Sequence, residues 1–190
     1  MEFLIFLSAY ILRRRLDQAD HLSADVLWRR LFARYHSLTA GPESGLGPGL
    51  LLIGLPVFVL GLGEFFLSNM GWSLALHPLA LVLMVVLMGI PGLGRILDAY
   101  IEAWRRGDMQ AAWRHLDGVL SATERSAATS PQSMHLVVCR MLILKIFERY
   151  FVVGFWYLLA GAAGALAAAG VIALRDHWPQ AAARQGYARL

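Results

Sequence analysis

The distribution of apolar and polar positions divides the chain into long uncharged runs separated by basic segments. Between residues 44 and 94 the only charged side chain is Glu64, and residues 150–174 carry no charge. A membrane-spanning helix needs roughly 20 mainly apolar residues. The first run is therefore long enough for two spans and the second for one. This pattern predicts an all-α, polytopic helical membrane protein with three spans.

The predicted architecture is a single membrane domain over residues 1–190. Its segments in chain order are interfacial amphipathic helices at 1–40, a membrane hairpin at 49–67 and 74–94, a cytoplasmic helical insert at 95–131, a long helix with the third span at 134–174, and a polar tail at 175–190. The first apolar run is too short to cross a membrane alone, so we expect its helix to dip into one leaflet. The helix predicted at 21–36 either lies on the bilayer or docks a partner.

Capping signals locate the helices of the insert. Residues 95–106 read as a helix in water, which Gly107 is expected to end. Asp108 follows and is a suitable N-cap for the next helix. Ser130 and Pro131 then predict a further helix start, because serine caps the first turn and proline needs no hydrogen-bond donor there.

Composition and charge narrow the class of partner. The chain is 58% hydrophobic with a formal net charge of +4, and its mean hydropathy is +0.55. The arginines flank apolar runs, which favours contact with anionic lipid over nucleic acid. Cys139 is the single cysteine, so it can form neither an intrachain disulfide nor a cysteine zinc cluster. We expect a lipid bilayer as partner, no nucleic acid, no cofactor and no metal.

The arginines also predict an orientation. They are concentrated before the first span and after the second, and the turn at 68–73 has none. The positive-inside rule then makes both basic segments cytoplasmic. The tail lies outside if residues 150–174 cross once, and inside if Gly161 and Gly164 break that run into a re-entrant hairpin. We expect one crossing, because the uncharged run suits a tilted span and two arms of about 12 residues would be short.

Two charged residues within apolar surroundings are functional candidates. Glu64 lies near the end of its predicted span, where an intramembrane acid is either functional or reaches the headgroups. Arg140 lies among apolar side chains and either snorkels or pairs with an acid from another helix. Asp98 and Glu102 are the best candidate partner acids, with Glu64 a third. On their own helix these two acids are also consistent with a solvated, salt-bridged face.

The most specific motif lies in residues 146–166. A charged pair, Glu148-Arg149, precedes an aromatic group that includes Phe155-Trp156, and Gly161-Ala-Ala-Gly-Ala-Leu follows. This pattern resembles the AmpE-type membrane proteins, which are linked to regulation of β-lactamase induction in Gram-negative bacteria. They belong to a wider family with the adenosylcobinamide-phosphate synthases (CobD/CbiB).

The resemblance implies a multi-pass protein of the bacterial inner membrane with a regulatory role. It would sense or relay cell-wall or β-lactam stress, together with a membrane or cell-wall-recycling protein partner. No catalytic residue is predicted. The candidate functional residues are Glu148, Arg149, Arg140, Phe155 and Trp156.

Two alternative functions remain open. Gly107-Asp108 and Phe155-Trp156 also resemble segments of the synthase branch, which would make the protein a membrane-bound amide-forming enzyme. The polar signatures that flank Phe-Trp and Gly-Ala-Leu in the synthases are missing here, which argues against that activity. The other alternative is a membrane scaffold without catalysis.

Overall fold

The computed structural model describes residues 2–16, 24–38, 46–71, 73–90, 93–116 and 130–178, and every regular element in these ranges is helical. The elements are α1 Glu2–Leu16, α2 Ala24–Leu38, α3 Leu46–Asn69, α4 Ser73–Leu87, α5 Leu93–Arg105, α6 Met109–Leu116, α7 Pro131–Ile146, a π-helical segment Phe147–Val152 and α8 Val153–His177. The predicted all-α class is confirmed for this part of the chain. The predicted tail beyond residue 178 and the loop before Ser130 lie outside the described residues.

The chain forms two compact units, each with an apolar core. The first unit comprises residues 1–89 together with 148–190, and the second comprises residues 90–147. The core of the first unit is built from α1 to α4 and α8. The core of the second is built from α5, α6 and α7.

Helix α8 is broken in its middle. The backbone leaves helical geometry at Ala160 (φ −134°, ψ 20°) and Gly161 (φ 66°, ψ −162°). Glycine adopts a positive φ without the steric cost of a side chain, so Gly161 is suited to this position. The break separates a first arm, residues 148–159, from a second arm, residues 162–177.

The two arms fold back on each other as a helical hairpin. Glu148 forms an ion pair with Arg175, although 27 residues separate them in sequence. A straight α-helix would place two such residues about 40 Å apart. Near the break, a Cβ on Gly164 would lie 2.7 Å from the carbonyl oxygen of Trp156. Contacts at both ends of the arms therefore require a reversal of the chain at Gly161.

One continuous helix over residues 150–174 is not what the structure contains: the chain reverses at Gly161, as in the hairpin alternative. The prediction relied on the length of the uncharged run, which cannot detect a reversal. By length and composition alone, Leu46–Asn69 and Pro131–His177 are the two described stretches long and apolar enough to cross a membrane. Because the second stretch reverses at Gly161, its length is not the length of one span.

Helix α3 packs antiparallel along the second arm. The contacts pair Gly49 with Leu174, Ile53 with Gly170, and Gly61 with Ala163. Small residues occur on both helices, so their backbones approach closely. A Cβ on Gly49 would come within 2.4 Å of the Leu174 side chain, so this contact depends on glycine.

Helix α1 packs along the first arm and α4. Phe6 lies against Gly154, and the rings of Tyr10 and Tyr150 are 5.6 Å apart. Arg13 is 1% exposed, and its guanidinium packs against Gly89. The helix therefore belongs to the bundle along its length, whereas a separate interfacial helix was expected. The expectation stopped at the apolar residues, but the helix continues through the arginines to Leu16.

The structure contains the full helix predicted at 49–67, but only part of the helix predicted at 74–94. Helix α3 covers the first and extends beyond it at both ends. Helix α4 ends at Leu87, short of residue 94. Glycine at 89 and the restriction that Pro91 places on the preceding residue both oppose a longer helix. Helix α4 contacts α1 more extensively than it contacts α3. The predicted pairing of α3 with α4 is therefore a minor contact.

The local signals in the second unit are confirmed. Gly107 adopts φ 75° after α5. The Asp108 carboxylate accepts a hydrogen bond from the backbone N–H of Ala111 at 2.9 Å and so caps α6. Ser130 forms a capping box with Ser133, and Pro131 occupies the first turn of α7.

Candidate functional site

A cluster of charged side chains closes the open end of the hairpin. We call it the mouth cluster. Its members are Asp25, Glu148, Arg149, Arg175, Asp176 and His177. Glu148 and Arg149 lie in the π-helical segment, a distortion that often occurs at functional sites. The remaining members come from α2 and from the end of α8, so the hairpin fold is what brings the cluster together.

Arg149 is the buried member of the cluster. Its side chain is 3% exposed, and its Nη2 donates to Oδ1 of Asp25 at 2.5 Å. Its Nε and Nη1 are also buried and have no hydrogen-bond partner among the described residues. Among the described residues, Asp25 is thus the acid paired with this guanidinium. Loss of that contact would leave an uncompensated buried charge, which carries a large desolvation cost.

Asp25 joins α2 to both arms of the hairpin. Its Oδ2 lies 3.0 Å from Nε2 of His177, while its Oδ1 accepts from Arg149. Burial alone would raise the pKa of Asp25, but the hydrogen bond to His177 and the positive charge of Arg149 outweigh it and lower that pKa to about 2. The carboxylate is therefore ionised at neutral pH.

Glu148 forms a more open ion pair. Its two carboxylate oxygens accept from Nη1 and Nη2 of Arg175 at 2.5 and 2.8 Å, a bidentate geometry that fixes orientation. Arg175 also donates to Asp176 at 2.9 Å, and its side chain is 46% exposed. Glu148 and Arg149 were expected to act as one unit, but each pairs with a different element of the fold.

Glu64 lies at the closed end of the hairpin, which we call the tip. Its Oε1 accepts a hydrogen bond from the backbone N–H of Ala162 at 3.1 Å. A Cβ on Gly161 would lie 3.4 Å from its Oε2. The acid was a candidate partner for Arg140, but in the structure its partner is the first turn of the second arm.

Phe155 and Trp156 face outward from the first arm. Their side chains are 49% and 46% exposed, and their rings meet edge to face at 6.2 Å. The adjacent Tyr157 is buried in the core. The aromatic pair therefore presents an apolar surface, while the Trp156 backbone takes part in the close approach of the arms.

The predicted pair between Arg140 and an acid of α5 is not found in the structure. Arg140 is exposed on α7 and forms no ion pair with Asp98 or Glu102, all three being described residues. Glu102 instead pairs with Arg106 at 3.1 Å. Val138 is buried in the unit core, and Arg140 lies about 200° further around the helix. This position fits the snorkelling alternative.

Sequence reasoning missed Asp25, Arg175 and His177. A usable signal existed for the first, because Asp25, Trp28 and Phe32 share one face of α2. An acid on the face that buries two aromatic rings needs a basic partner. No local signal identified which base that partner is, since it depends on the hairpin.

Among the residues that the structure describes, no group of three or more His, Cys, Asp or Glu side chains could hold a metal ion. No protein-family model, no curated protein and no solved structure matches the chain.

Proposed function

We propose that the protein is a multi-pass regulator of the bacterial inner membrane that relays cell-wall or β-lactam stress to a membrane or cell-wall-recycling partner. Membrane placement is supported by the surface of α3. Leu51, Leu55 and Phe58 are 75%, 70% and 66% exposed on this helix. Continuous apolar surface of this kind is unfavourable in water and suits the hydrocarbon of a bilayer.

In the proposed topology α3 crosses the membrane, α4 brings the chain back across it, and the hairpin of α8 is re-entrant. The two arms are about 18 and 24 Å long, short of the roughly 30 Å of hydrocarbon. The start of α3 packs beside Leu174 and Trp178, so it lies at the same end as the mouth cluster. Arginines are concentrated before α3, which makes this end cytoplasmic by the positive-inside rule.

The observation that carries the regulatory proposal is the link from Asp25 to both arms. A helix on the cytoplasmic side, α2, is joined to a membrane hairpin through the buried pair with Arg149 and the contact with His177. A change in the position of α2 would thus alter the charge balance at the hairpin mouth. Such local electrostatic changes can bias larger conformational equilibria. Two residues of the motif that resembles the AmpE-type proteins, Glu148 and Arg149, lie in or next to this link.

The test is β-lactamase induction in a strain that lacks the gene, complemented with single variants. We expect deletion to change induction by β-lactams and Arg149→Met to reproduce the deletion. Arg106→Met is the matched control, because it breaks an exposed ion pair on α5 and should restore normal induction. Membrane levels of each variant are measured in parallel by immunoblot. Equal induction in the deletion and wild-type strains across several β-lactams would refute the proposal.

A further inference from the structure

The regulatory proposal leaves Glu64 unexplained. It is the single charge between residues 44 and 94, and its carboxylate accepts a hydrogen bond from Ala162 at the tip of the hairpin. Ionisable residues are rare within membrane segments because their burial in hydrocarbon is costly. A structural cap would not need a charge, since Ser or Asn can accept the same hydrogen bond.

The tip of the hairpin offers backbone hydrogen-bond donors to this acid. The break at Gly161 frees the first backbone N–H groups of the second arm, which have no partner within the helix. In hydrocarbon no water is available to accept hydrogen bonds from these N–H groups, so they need an acceptor from the protein. A carboxylate suits this position because the start of a helix carries partial positive charge. Addition of a proton removes that attraction and weakens the acceptor.

Other titratable groups close to the tip come from each neighbouring helix. Tyr157 on the first arm is buried, and it lies within electrostatic range of both Glu64 and Glu2 of α1. On α4, His77 forms no hydrogen bond or ion pair with Glu64, both being described residues. Among the described residues, the tip therefore combines two acids, Glu64 and Glu2, with the phenol of Tyr157.

We propose that Glu64 is a proton-binding site that latches the tip of the hairpin to α3. This inference rests on the membrane placement in the proposed function. The ionised carboxylate caps the second arm and holds it against α3. Uptake of one proton converts the carboxylate to the neutral acid, weakens the bond to Ala162, and releases the tip. The hairpin would then respond to proton concentration at its closed end.

The latch can be measured with a cysteine pair. A Cβ on Gly61 would lie 3.7 Å from Cβ of Ala163, which is within the range for a disulfide. The full-length protein carries Gly61→Cys and Ala163→Cys in a Cys139→Ser background. The extent of disulfide formation is measured in membrane vesicles from pH 8 to pH 3. The same pair is then measured with Glu64→Gln, which cannot take up a proton in this range.

We expect the ratio of cross-linking in the Glu64 protein to that in the Glu64→Gln protein to fall about two- to fivefold on acidification, the typical range for a carboxylate at a helix start. The pH dependence of the thiols is common to both proteins and cancels in the ratio. Glu102→Gln is the matched control, because it removes an acid from an exposed ion pair on α5 and should leave the titration unchanged. Identical profiles with and without the Glu64 carboxylate would overturn the proposal.

A second variant separates the latch from a folding defect. Glu64→Leu has no acceptor, so its cross-linking should be low at every pH, while its membrane level stays comparable to that of Glu64→Gln. Cross-linking of this variant equal to that of the Glu64 protein would also overturn the proposal. These measurements use vesicles and contain no β-lactam. A negative result in the latch experiment therefore does not contradict the proposed regulatory function. A negative induction test likewise does not contradict the latch.

Discussion

At the scale of single residues, the neighbours Glu148 and Arg149 have different physical roles. Arg149 is almost fully buried and relies on Asp25, whereas Glu148 pairs with an arginine that is 46% exposed. Exposed pairs contribute about 0–1 kcal/mol to stability. Removal of one partner from a buried pair costs about 3–5 kcal/mol, because the other charge is left uncompensated.

Asp25→Leu should therefore lower the free energy of unfolding in detergent by about 3–5 kcal/mol, and Glu148→Gln by about 1 kcal/mol or less. The double variant Asp25→Leu with Arg149→Met should recover much of the loss, since no buried charge remains. The measurement is chemical unfolding of purified protein followed by tryptophan fluorescence. Equal losses for Asp25→Leu and Glu148→Gln would contradict the distinction between the two pairs.

The depressed pKa of Asp25 also predicts a dependence on pH. Its value of about 2 lies below the usual 3.8, so the folded state favours the ionised form. The resulting stabilisation, about 2 kcal/mol, is fully present above pH 4 and is lost as the pH falls toward 2. Asp25→Asn should lack this component. The check is the difference in unfolding free energy between the two proteins at pH 5 and pH 2.5, and a constant difference would contradict it.

At the scale of secondary-structure elements, the sequence was sufficient where a signal was local. Gly107, Asp108 and Ser130 are caps whose partners lie within a few residues, and all three were predicted correctly. The reversal of α8 was considered but rejected, because chain length was weighed above the two glycines. The partners of Glu148 and Arg149 lie 27 and 124 residues away. They could not be assigned without the reversal and the position of α2.

The reversal depends on the backbone conformation of Gly161. Its combination of φ 66° and ψ −162° lies in a region that is essentially limited to glycine, and other residues pay about 1–3 kcal/mol there. Gly161→Ala should destabilise the protein by that amount and lower disulfide formation in the Gly61 and Ala163 cysteine pair. Gly63→Ala is the control, because a Cβ there meets no atom within 4 Å. A neutral Gly161→Ala would be inconsistent with the observed turn.

At the scale of the whole molecule, the chain divides into two compact units, and each has its own core. The first unit contains α3, the hairpin and the mouth cluster, so the features of the proposed relay lie in one body. The second unit has its own core around Tyr100, Met134 and Val138, and its hydrogen bond between Tyr100 and His135 is 3.2 Å long. Composition gave the helical class, but it could not show that the insert shares a core with α7.

The hairpin also changes the predicted side of the C-terminal tail. A single crossing would place it outside, whereas Glu148 and Arg175 in contact place the end of α8 beside its beginning. Fusions of alkaline phosphatase and a fluorescent protein at Asn69 and Gln185 distinguish these cases. We expect phosphatase activity at Asn69 and fluorescence at Gln185, because both arms of a re-entrant hairpin start and end on the cytoplasmic side. Phosphatase activity at Gln185 would contradict the re-entrant arrangement, and fluorescence at Asn69 would reverse the orientation of α3.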